Sequence, residues 1–238
     1  GTKGVLVSSN DGITFTAHEI QASQDFYIIR DTIYTISSQG TGIQKANINT
    51  LVFGTIDVMD YTHIPKSKLI HSLCSINDSI TIVVGERKMI RRSTDNAHSW
   101  HLLSYLYTGA SGESFTNIQF VNDSVGYVCG TFQYVYHTRN GGATWLPQQA
   151  NSEDLIWVNE VFFLDEKRGF GIISESSDGF ISTNDGGITF TRKKLHVDLF
   201  PKIRFVNDKV GFITSNIYNP IKTNLLRTKD GGTSWTER

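Results

Sequence analysis

The side chains best suited to chemistry are one acidic residue and two arginines in strand-like segments. Glu160, Arg30 and Arg204 lie in or near such segments, and one interpretation is that they face a common cavity. Arginines clamp carboxylates, and a pair of carboxylates about 5–10 Å apart can hydrolyse a glycosidic bond. Long charged side chains on short strands also serve as structural or solvated groups. None of the three carries a catalytic motif, so we expect a chain that is not an enzyme, or otherwise a glycoside hydrolase.

Other site signatures are missing from the sequence. His98 and His101 are the only close histidine pair, and they straddle a turn rather than sharing a metal-binding motif. The Gly-Gly pairs are not followed by the Lys-Ser or Lys-Thr of a phosphate-binding loop, and no Gly-x-Ser-x-Gly elbow occurs. We therefore expect no catalytic residue set, no metal and no cofactor.

Composition limits the partners. The chain has 238 residues, and 22 basic against 23 acidic side chains give a net charge of −1, so bulk electrostatics recruit neither nucleic acid nor anionic membrane. No apolar run approaches the roughly 18 residues that span a bilayer. Cys74 and Cys129 lie in apolar runs, which predicts two buried free thiols.

One eight-residue turn recurs along the chain. Its closing aromatic residue stands at Trp100, Trp145, Phe190 and Trp235, a spacing of 45 residues each time. A further copy, at residues 8–15, precedes Trp100 by nearly two such intervals, so a repeat with an eroded turn is expected around residues 45–53.

Each position of this turn has a structural explanation. An Asp or Asn at the third position closes an Asx-type turn by accepting backbone hydrogen bonds, and the glycines that follow permit positive φ. The closing aromatic ring supplies an apolar wedge against a neighbouring strand or blade. We therefore assign structural roles to Asn10, Asp95, Asn140, Asp185, Asp230, Trp100, Trp145, Phe190 and Trp235.

Strand-like runs accompany every copy of the turn. Two runs separated by a polar turn precede it, at residues 118–129, 161–172 and 203–214, and one further run lies on each side of it. Four short antiparallel strands repeated about every 45 residues predict an all-β protein, a β-propeller of four-stranded antiparallel blades. We expect six or seven blades in a single domain over residues 1–238, with the recurring turn between the third and fourth strands. The predicted units are residues 1–20, 24–58, 68–104, 115–149, 157–194 and 201–238, and the first is incomplete.

The recurring turn resembles the Asp-box, or BNR repeat, of sialidases and related propellers. The longer pattern Phe-x-Asn-Asp-x-x-Gly-Tyr/Phe, followed by the turn, is similar to photosystem II stability/assembly factor-like propellers, most closely over residues 115–238. This resemblance implies a non-enzymatic scaffold that is exported to the periplasm, the cell surface or the medium. A divergent sialidase-like glycoside hydrolase and a structural module of a larger cell-surface protein are the alternatives, although the sialidase Arg-Ile-Pro signature is absent.

The expected topology gives the blades two different ends. The recurring turns and the first-to-second turns share one end, so the longest loops collect at the other, which we call the loop end. Exposed aromatic residues on such loops are usual binding anchors, although the same rings also cover blade edges. The predicted binding residues, for a protein or a carbohydrate polymer, are Tyr61, Tyr105, Tyr107, Trp157, Tyr218, Arg30 and Arg204.

Overall fold

The structure is a computed structural model. It describes residues 4–7, 16–19, 22–29, 31–37, 40–50, 52–57, 70–104, 112–131, 135–148, 158–173, 179–193, 195, 199–217 and 222–237. All regular elements in these ranges are β-strands. The chain divides into two compact units, residues 1–111 and residues 112–238.

The first unit contains a two-stranded sheet and two four-stranded sheets, all antiparallel. The two-stranded sheet pairs β1 (Gly4–Val7) with β2 (Thr16–Glu19). Blade 1 consists of β3 (Ala22–Ile29), β4 (Thr32–Ser37), β5 (Gly42–Asn47) and β6 (Gly54–Asp57). Blade 2 consists of β7 (Ile70–Ser75), β8 (Thr81–Gly85), β9 (Met89–Ser93) and β10 (His101–Ser104).

The second unit contains three four-stranded antiparallel blades. Blade 3 consists of β11 (Phe115–Phe120), β12 (Gly126–Gly130), β13 (Val135–Thr138) and β14 (Leu146–Gln148). Blade 4 consists of β15 (Val158–Phe163), β16 (Gly169–Ile173), β17 (Phe180–Thr183) and β18 (Thr191–Lys193). Blade 5 consists of β19 (Leu199–Phe205), β20 (Gly211–Ile217), β21 (Lys222–Thr228) and β22 (Thr236–Glu237).

The predicted architecture of four-stranded antiparallel blades is confirmed, with the recurring turn between the third and fourth strands. The blade count differs slightly from the predicted six or seven, since the described residues form five complete blades and a two-stranded sheet at the place of the predicted incomplete first unit. Among the described residues, the repeat at the start of the chain supplies β1 and β2, which pair on either side of residues 8–15. The single-domain assignment over residues 1–238 stays a prediction.

The hydrophobic core lies between consecutive blades of each unit. In the first unit, Ile36 of blade 1 packs with Leu73 and Val83 of blade 2, and all three are buried. Strands β8, β12 and β16, each second in its blade, are buried along their whole length. A strand covered on both faces needs apolar side chains at successive positions, which explains runs such as residues 82–84.

Three first-strand phenylalanines cover the glycine that begins the following strand. The register pairs Phe120 with Gly126, Phe163 with Gly169, and Phe205 with Gly211. A Cβ atom added to Gly169 would lie 2.5 Å from the ring of Phe163. The ring therefore occupies the volume of the missing side chain, as in cross-strand aromatic rescue of glycine.

Cys74 and Cys129 are both buried thiols outside any disulfide, as the sequence predicts. Burial raises the pKa of the Cys129 thiol, and the nearby Glu160 carboxylate adds to the effect. A buried thiol with a raised pKa is a poor nucleophile, so Cys129 serves as a core residue.

Candidate functional site

The recurring turn of blade 4 is closed by a network of side-chain hydrogen bonds. Thr183 Oγ1 donates to Asp185 Oδ1 at 2.8 Å and accepts from the Gly187 amide at 2.9 Å. The Thr189 amide donates to Asp185 Oδ1 at 2.9 Å, and its hydroxyl donates to Oδ2 at 2.5 Å. The carboxylate thus joins the two ends of the turn.

The same network recurs in blades 2, 3 and 5. The first Ser or Thr of the turn bonds the third-position side chain and the fifth-position amide in each of them, and these residues are Ser93, Thr138 and Thr228. In blade 3 the amide of Asn140 replaces a carboxylate and donates from Nδ2 to Thr144 Oγ1 at 2.9 Å. The role of the first hydroxyl was not predicted, although its recurrence at 45-residue spacing marks it.

Hydrogen bonds within the recurring turns keep the carboxylates of Asp95, Asp185 and Asp230 ionised. The hydroxyl and amide of Ser234 lower the pKa of Asp230 to about 2, and those of Ser99 lower the pKa of Asp95. For Asp185, desolvation raises the pKa, but hydrogen bonds from Thr189 and Thr183 outweigh it, so the net shift is downward. A general acid needs the opposite shift at neutral pH, so these carboxylates are unsuited to that role.

Replacement of Asp185 tests the turn network. We expect Asp185→Ala to lower the free energy of unfolding by about 1–2 kcal/mol at neutral pH, because the Thr189 amide and two hydroxyls lose their acceptor. Asp185→Asn is the matched control, since Asn140 fills the equivalent position in blade 3. We expect the Asn variant to stay within about 0.5 kcal/mol of the native protein in urea unfolding.

The same variants differ in their pH dependence. Because the folded-state pKa of Asp185 lies below its unfolded value, its contribution is full above about pH 4 and is lost as the pH falls through the folded pKa. Asp185→Asn removes that dependence and should flatten the acid limb of stability against pH. In blade 3 an Asn side chain closes the turn by donating to the Thr144 hydroxyl and accepting from the Thr144 amide. If the Asn variant were as unstable as the Ala variant at neutral pH, Asn could not replace Asp185 in this way.

In blades 2 to 5, the end that carries the recurring turn, which we call the turn end, is closed further by the first-to-second turn. In blade 4, Asp165 Oδ1 accepts from the amides of Lys167 and Arg168, both at 2.8 Å. The Gly186 amide then donates to the Lys167 carbonyl at 2.8 Å, which joins the two turns. Blades 2, 3 and 5 repeat this bond, from Asn96 to Ser79, Gly141 to Ser124 and Gly231 to Lys209. The two turn types therefore share one end, and the connections between blades leave from the other.

The loop end of blade 2 carries a strained two-residue turn. Arg87 and Lys88 have φ values of 55° and 53°, and the Met89 amide donates to the Glu86 carbonyl at 3.1 Å. Two consecutive left-handed residues fit a type I′ hairpin, where Asn-Gly is the usual choice. Each non-glycine residue in this conformation costs roughly 1 kcal/mol. This turn could not be predicted from the sequence, because Arg-Lys is not a turn signal.

Glu160 and Arg204, which the sequence suggested as partners, meet in the second unit. Glu160 lies on β15 with a side chain only 2% exposed, and Arg204 Nη1 donates to its Oε1. Lys202 Nζ lies 3.1 Å from Oε2, an ion pair outside hydrogen-bond angles. The Lys202 and Arg204 side chains are 62% and 57% exposed. The arrangement is a buried carboxylate neutralised by two solvent-facing cations.

Asn117 of blade 3 plays the same structural role as Glu160 of blade 4. Glu160 Oε1 accepts from the Ile203 amide of blade 5 at 3.4 Å, and Asn117 Oδ1 accepts from the Val161 amide of blade 4 at 3.2 Å. Gln119 extends the pattern, since its amide bonds both the N–H and the C=O of Phe163. Side chains of one first strand therefore bond the backbone of the next first strand, and they satisfy edge groups that no described strand pairs.

Most of the predicted binding residues lie outside the described ranges. These are Tyr61, Tyr105, Tyr107, Trp157, Tyr218 and Arg30. Within the described ranges, no group of three His, Cys, Asp or Glu side chains has the arrangement of a metal site. His98 and His101 are exposed, and His98 Nδ1 lies 2.6 Å from the Asp95 carbonyl of its own turn. No helix in the described part of the chain has the length and apolarity to cross a bilayer.

The fourth strands contribute contacts that the sequence analysis missed. Lys193 Nζ donates to the Gly232 carbonyl in the turn of blade 5 at 3.4 Å. Gln148, 45 residues earlier, donates to the Gly186 and Gly187 carbonyls of blade 4 when its amide nitrogen faces them. A polar side chain at this repeat position thus links one blade to the turn of the next.

Comparisons with known proteins identify the class of fold. No family model matches the chain, and no curated protein matches it. YCF48 from Cyanidioschyzon merolae superposes with a TM-score of 0.69 at 11% identity, covering 98% of this chain and 77% of that one. YCF48 bound to D1 peptide gives 0.67 at 11% identity, covering 99% and 74%. The GH74 xyloglucanase from Xanthomonas campestris gives 0.63 at 12% identity, covering 88% and 36%.

The chain therefore has the fold of a sialidase-type β-propeller. Within that class it has a YCF48-like fold, which confirms at the level of fold the predicted resemblance to photosystem II assembly factors. Because the identities are 11–12%, the likeness extends to the fold alone.

Proposed function

We propose that the chain is a non-catalytic propeller that binds a protein partner through its loop end. The observation that carries this proposal is the difference between the two ends of the blades. At the turn end, side chains and amides are engaged with one another, as Asp185 and Gly186 show. At the other end, the fourth strand of one blade leads towards the first strand of the next, and the Arg87-Lys88 turn of blade 2 lies there. Connecting segments of this kind are common sites of recognition.

The carboxylates support a binding role over hydrolysis. Asp95, Asp185 and Asp230 are committed to turn closure, and Glu160 is ion-paired to Lys202 and Arg204. Retaining and inverting glycosidases both need one carboxyl group that stays protonated near neutral pH. The lowered pKa values of the turn carboxylates oppose that requirement.

The YCF48 structures favour a protein over a carbohydrate polymer as the partner. One of them contains a bound D1 peptide, so a protein of this fold binds a polypeptide segment. The xyloglucanase is compatible with the alternative, but this chain spans only 36% of it. Export to the periplasm, the cell surface or the medium belongs to the same proposal and rests on the resemblance of the repeats.

A random peptide library, selected on the purified chain, tests the proposal without a known partner. We expect selected peptides to lose at least about tenfold in affinity when Tyr105, Tyr107 or Trp157 is replaced by Ala. Leu146→Ala is the control, because this exposed leucine lies on the outer strand of blade 3 rather than at the loop end. Unchanged affinity in all three variants would remove these aromatic residues as the site.

Hydrolase activity is tested in parallel on xyloglucan and on a fluorogenic sialoside. We expect no turnover above a buffer control. Turnover that is abolished by Glu160→Gln would instead establish the divergent glycoside hydrolase, since that substitution removes the charge and keeps the side-chain shape.

A further inference from the structure

Asn140 and Gly141 form the single Asn-Gly pair of the sequence, and they lie in the recurring turn of blade 3. An asparagine before glycine readily loses its side-chain amide without an enzyme, because glycine has no Cβ to shield the backbone nitrogen that attacks. Asparagine is accordingly among the heat-labile residues that proteins from hot environments contain less often. The side chain of Asn140 is exposed, so water reaches it.

The reaction at such a pair consumes water and releases ammonia. The backbone nitrogen of Gly141 attacks Cγ of Asn140, its proton passes to solvent, and the side-chain nitrogen leaves as ammonia, which closes a cyclic imide. Water then adds to one of the two imide carbonyls and breaks the bond from that carbon to the nitrogen. Opening at Cγ gives an aspartate at position 140. Opening at the backbone carbonyl gives an isoaspartate, in which the chain continues through the side chain.

The closed turn restrains both reacting groups. Asn140 Oδ1 accepts from Thr138 Oγ1 at 2.9 Å and from the Thr144 amide at 3.0 Å, while Nδ2 donates to Thr144 Oγ1 at 2.9 Å. The Gly141 amide, which is the attacking group, donates to the Ser124 carbonyl at 2.9 Å. Attack needs a deprotonated nitrogen and a side chain that turns towards it. The hydrogen bonds on both sides must therefore open first.

The other recurring turns of blades 2 to 5 are less reactive for a chemical reason. Their third residues are Asp95, Asp185 and Asp230. An aspartate closes the same imide only from its protonated form, because an ionised carboxylate has no group that can leave. Hydrogen bonds within the turns lower the pKa of all three, so they stay ionised near neutral pH. In these four turns, only Asn140 carries a leaving group at neutral pH.

An aspartate at position 140 fits the turn in which it forms. In blade 4, Asp185 Oδ1 accepts from the Thr189 amide, and Oδ2 accepts from the Thr189 hydroxyl. Thr144 holds the same repeat position as Thr189, so its hydroxyl changes from acceptor to donor and the turn stays closed. Isoaspartate instead lengthens the backbone by a methylene group ahead of Gly141, which moves this amide away from the Ser124 carbonyl.

We propose that Asn140 is a site of spontaneous deamidation, that opening of the blade 3 turn limits its rate, and that the aspartate product closes the turn again. The modification adds one negative charge to a chain whose net charge is −1. It lies at the turn end, so it is independent of the binding role proposed for the loop end.

Peptide mapping by mass spectrometry in mildly alkaline buffer tests the proposal. We expect the folded chain to deamidate at Asn140 at least about tenfold more slowly than the chain unfolded in urea. Thr144→Val removes the acceptor of Asn140 Nδ2 and should speed the reaction of the folded chain about fivefold, because the turn opens more often. Thr144→Ser is the matched control and should react at the native rate, since Ser99 and Ser234 hold this position in blades 2 and 5.

A second measurement uses the native chain alone. The Gly141 amide exchanges its hydrogen through the same opening, so its exchange and the deamidation should rise together as low concentrations of urea are added. Asn140→Asp reproduces the aspartate product and should unfold at the native urea concentration, whereas the isolated isoaspartate fraction should unfold at a lower one. Equal rates in the folded and unfolded chains would overturn the proposal. A native rate in folded Thr144→Val, deamidation that does not follow the exchange, or clear destabilisation by Asn140→Asp would also overturn it.

Discussion

Gly130→Ala is expected to destabilise the second unit by about 3 kcal/mol, because the new Cβ would overlap the Ser114 carbonyl oxygen. It would also lie 2.8 Å from the Phe115 Cα atom. These are backbone atoms, so no side-chain rotation relieves the contact. The Ser114 backbone cannot move away easily either, because two hydrogen bonds hold it. Its amide donates to Thr131 Oγ1 at 2.9 Å, and its carbonyl accepts from the Thr131 amide at 2.9 Å.

Gly112→Ala provides the matched control for this substitution. It lies in the same unit, two residues before Ser114, and an added Cβ there meets nothing within 4 Å. We expect its free energy of unfolding to stay within about 0.5 kcal/mol of the native value in urea titrations. A Gly130→Ala loss below about 1 kcal/mol would show that the end of the β11–β12 pair shifts easily, contrary to the bonds that fix it.

The architecture was predictable because local turn chemistry repeats at a fixed interval. The third-position Asp or Asn, the glycine pair and the closing aromatic residue can each be read from residues within one turn, as at residues 183–190. The blade count was not predictable in the same way. The turn at residues 8–15 marks the third and fourth strands of a blade, but a turn does not show whether two more strands pair beside it.

Most contacts between blades were missed for a different reason. Gln119 bonds Phe163 across 44 residues, as far apart in sequence as Glu160 and Arg204, whose opposite charges did suggest a pair. Such partners are one repeat apart, so the period itself indicates which positions face each other. Gln, Glu and Lys carry no turn signal, however, and their partners are often backbone groups, which have no residue type to recognise.

The candidate binding site was the least predictable part. Aromatic residues in the long connecting segments suggest a binding site. The same residue types also cover the exposed edges of blades, so residue type alone does not separate the two roles.

Phe163→Ala is expected to lower the free energy of unfolding by about 4 kcal/mol, since this ring is 2% exposed and lies between two blades. The ring stacks on Tyr127 of blade 3 with centroids 3.5 Å apart and planes 3° from parallel. It also covers Gly169 within its own blade, so its removal leaves a cavity on both sides. Urea unfolding of the purified chain measures the loss.

Phe120→Ala is the matched control, because Phe120 holds the same repeat position in blade 3 but is only partly buried. We expect about 2 kcal/mol there, in proportion to the smaller apolar area that it buries. Equal losses at the two positions would show that the glycine contact, which both rings make, dominates over burial between blades.

A double-mutant cycle separates the stacked pair from the burial of either ring. Phe163→Leu and Tyr127→Leu keep apolar volume and remove the ring contact, so their coupling should be about 1 kcal/mol. Burial raises the pKa of Tyr127 to about 12, so its hydroxyl stays protonated and donates to the Glu166 carbonyl at 2.9 Å. Tyr127→Phe removes that bond alone, and it should cost about 1 kcal/mol with no coupling to Phe163. Coupling in both cycles would instead mean that the ring and the hydroxyl position each other, which makes the two blades one cooperative unit.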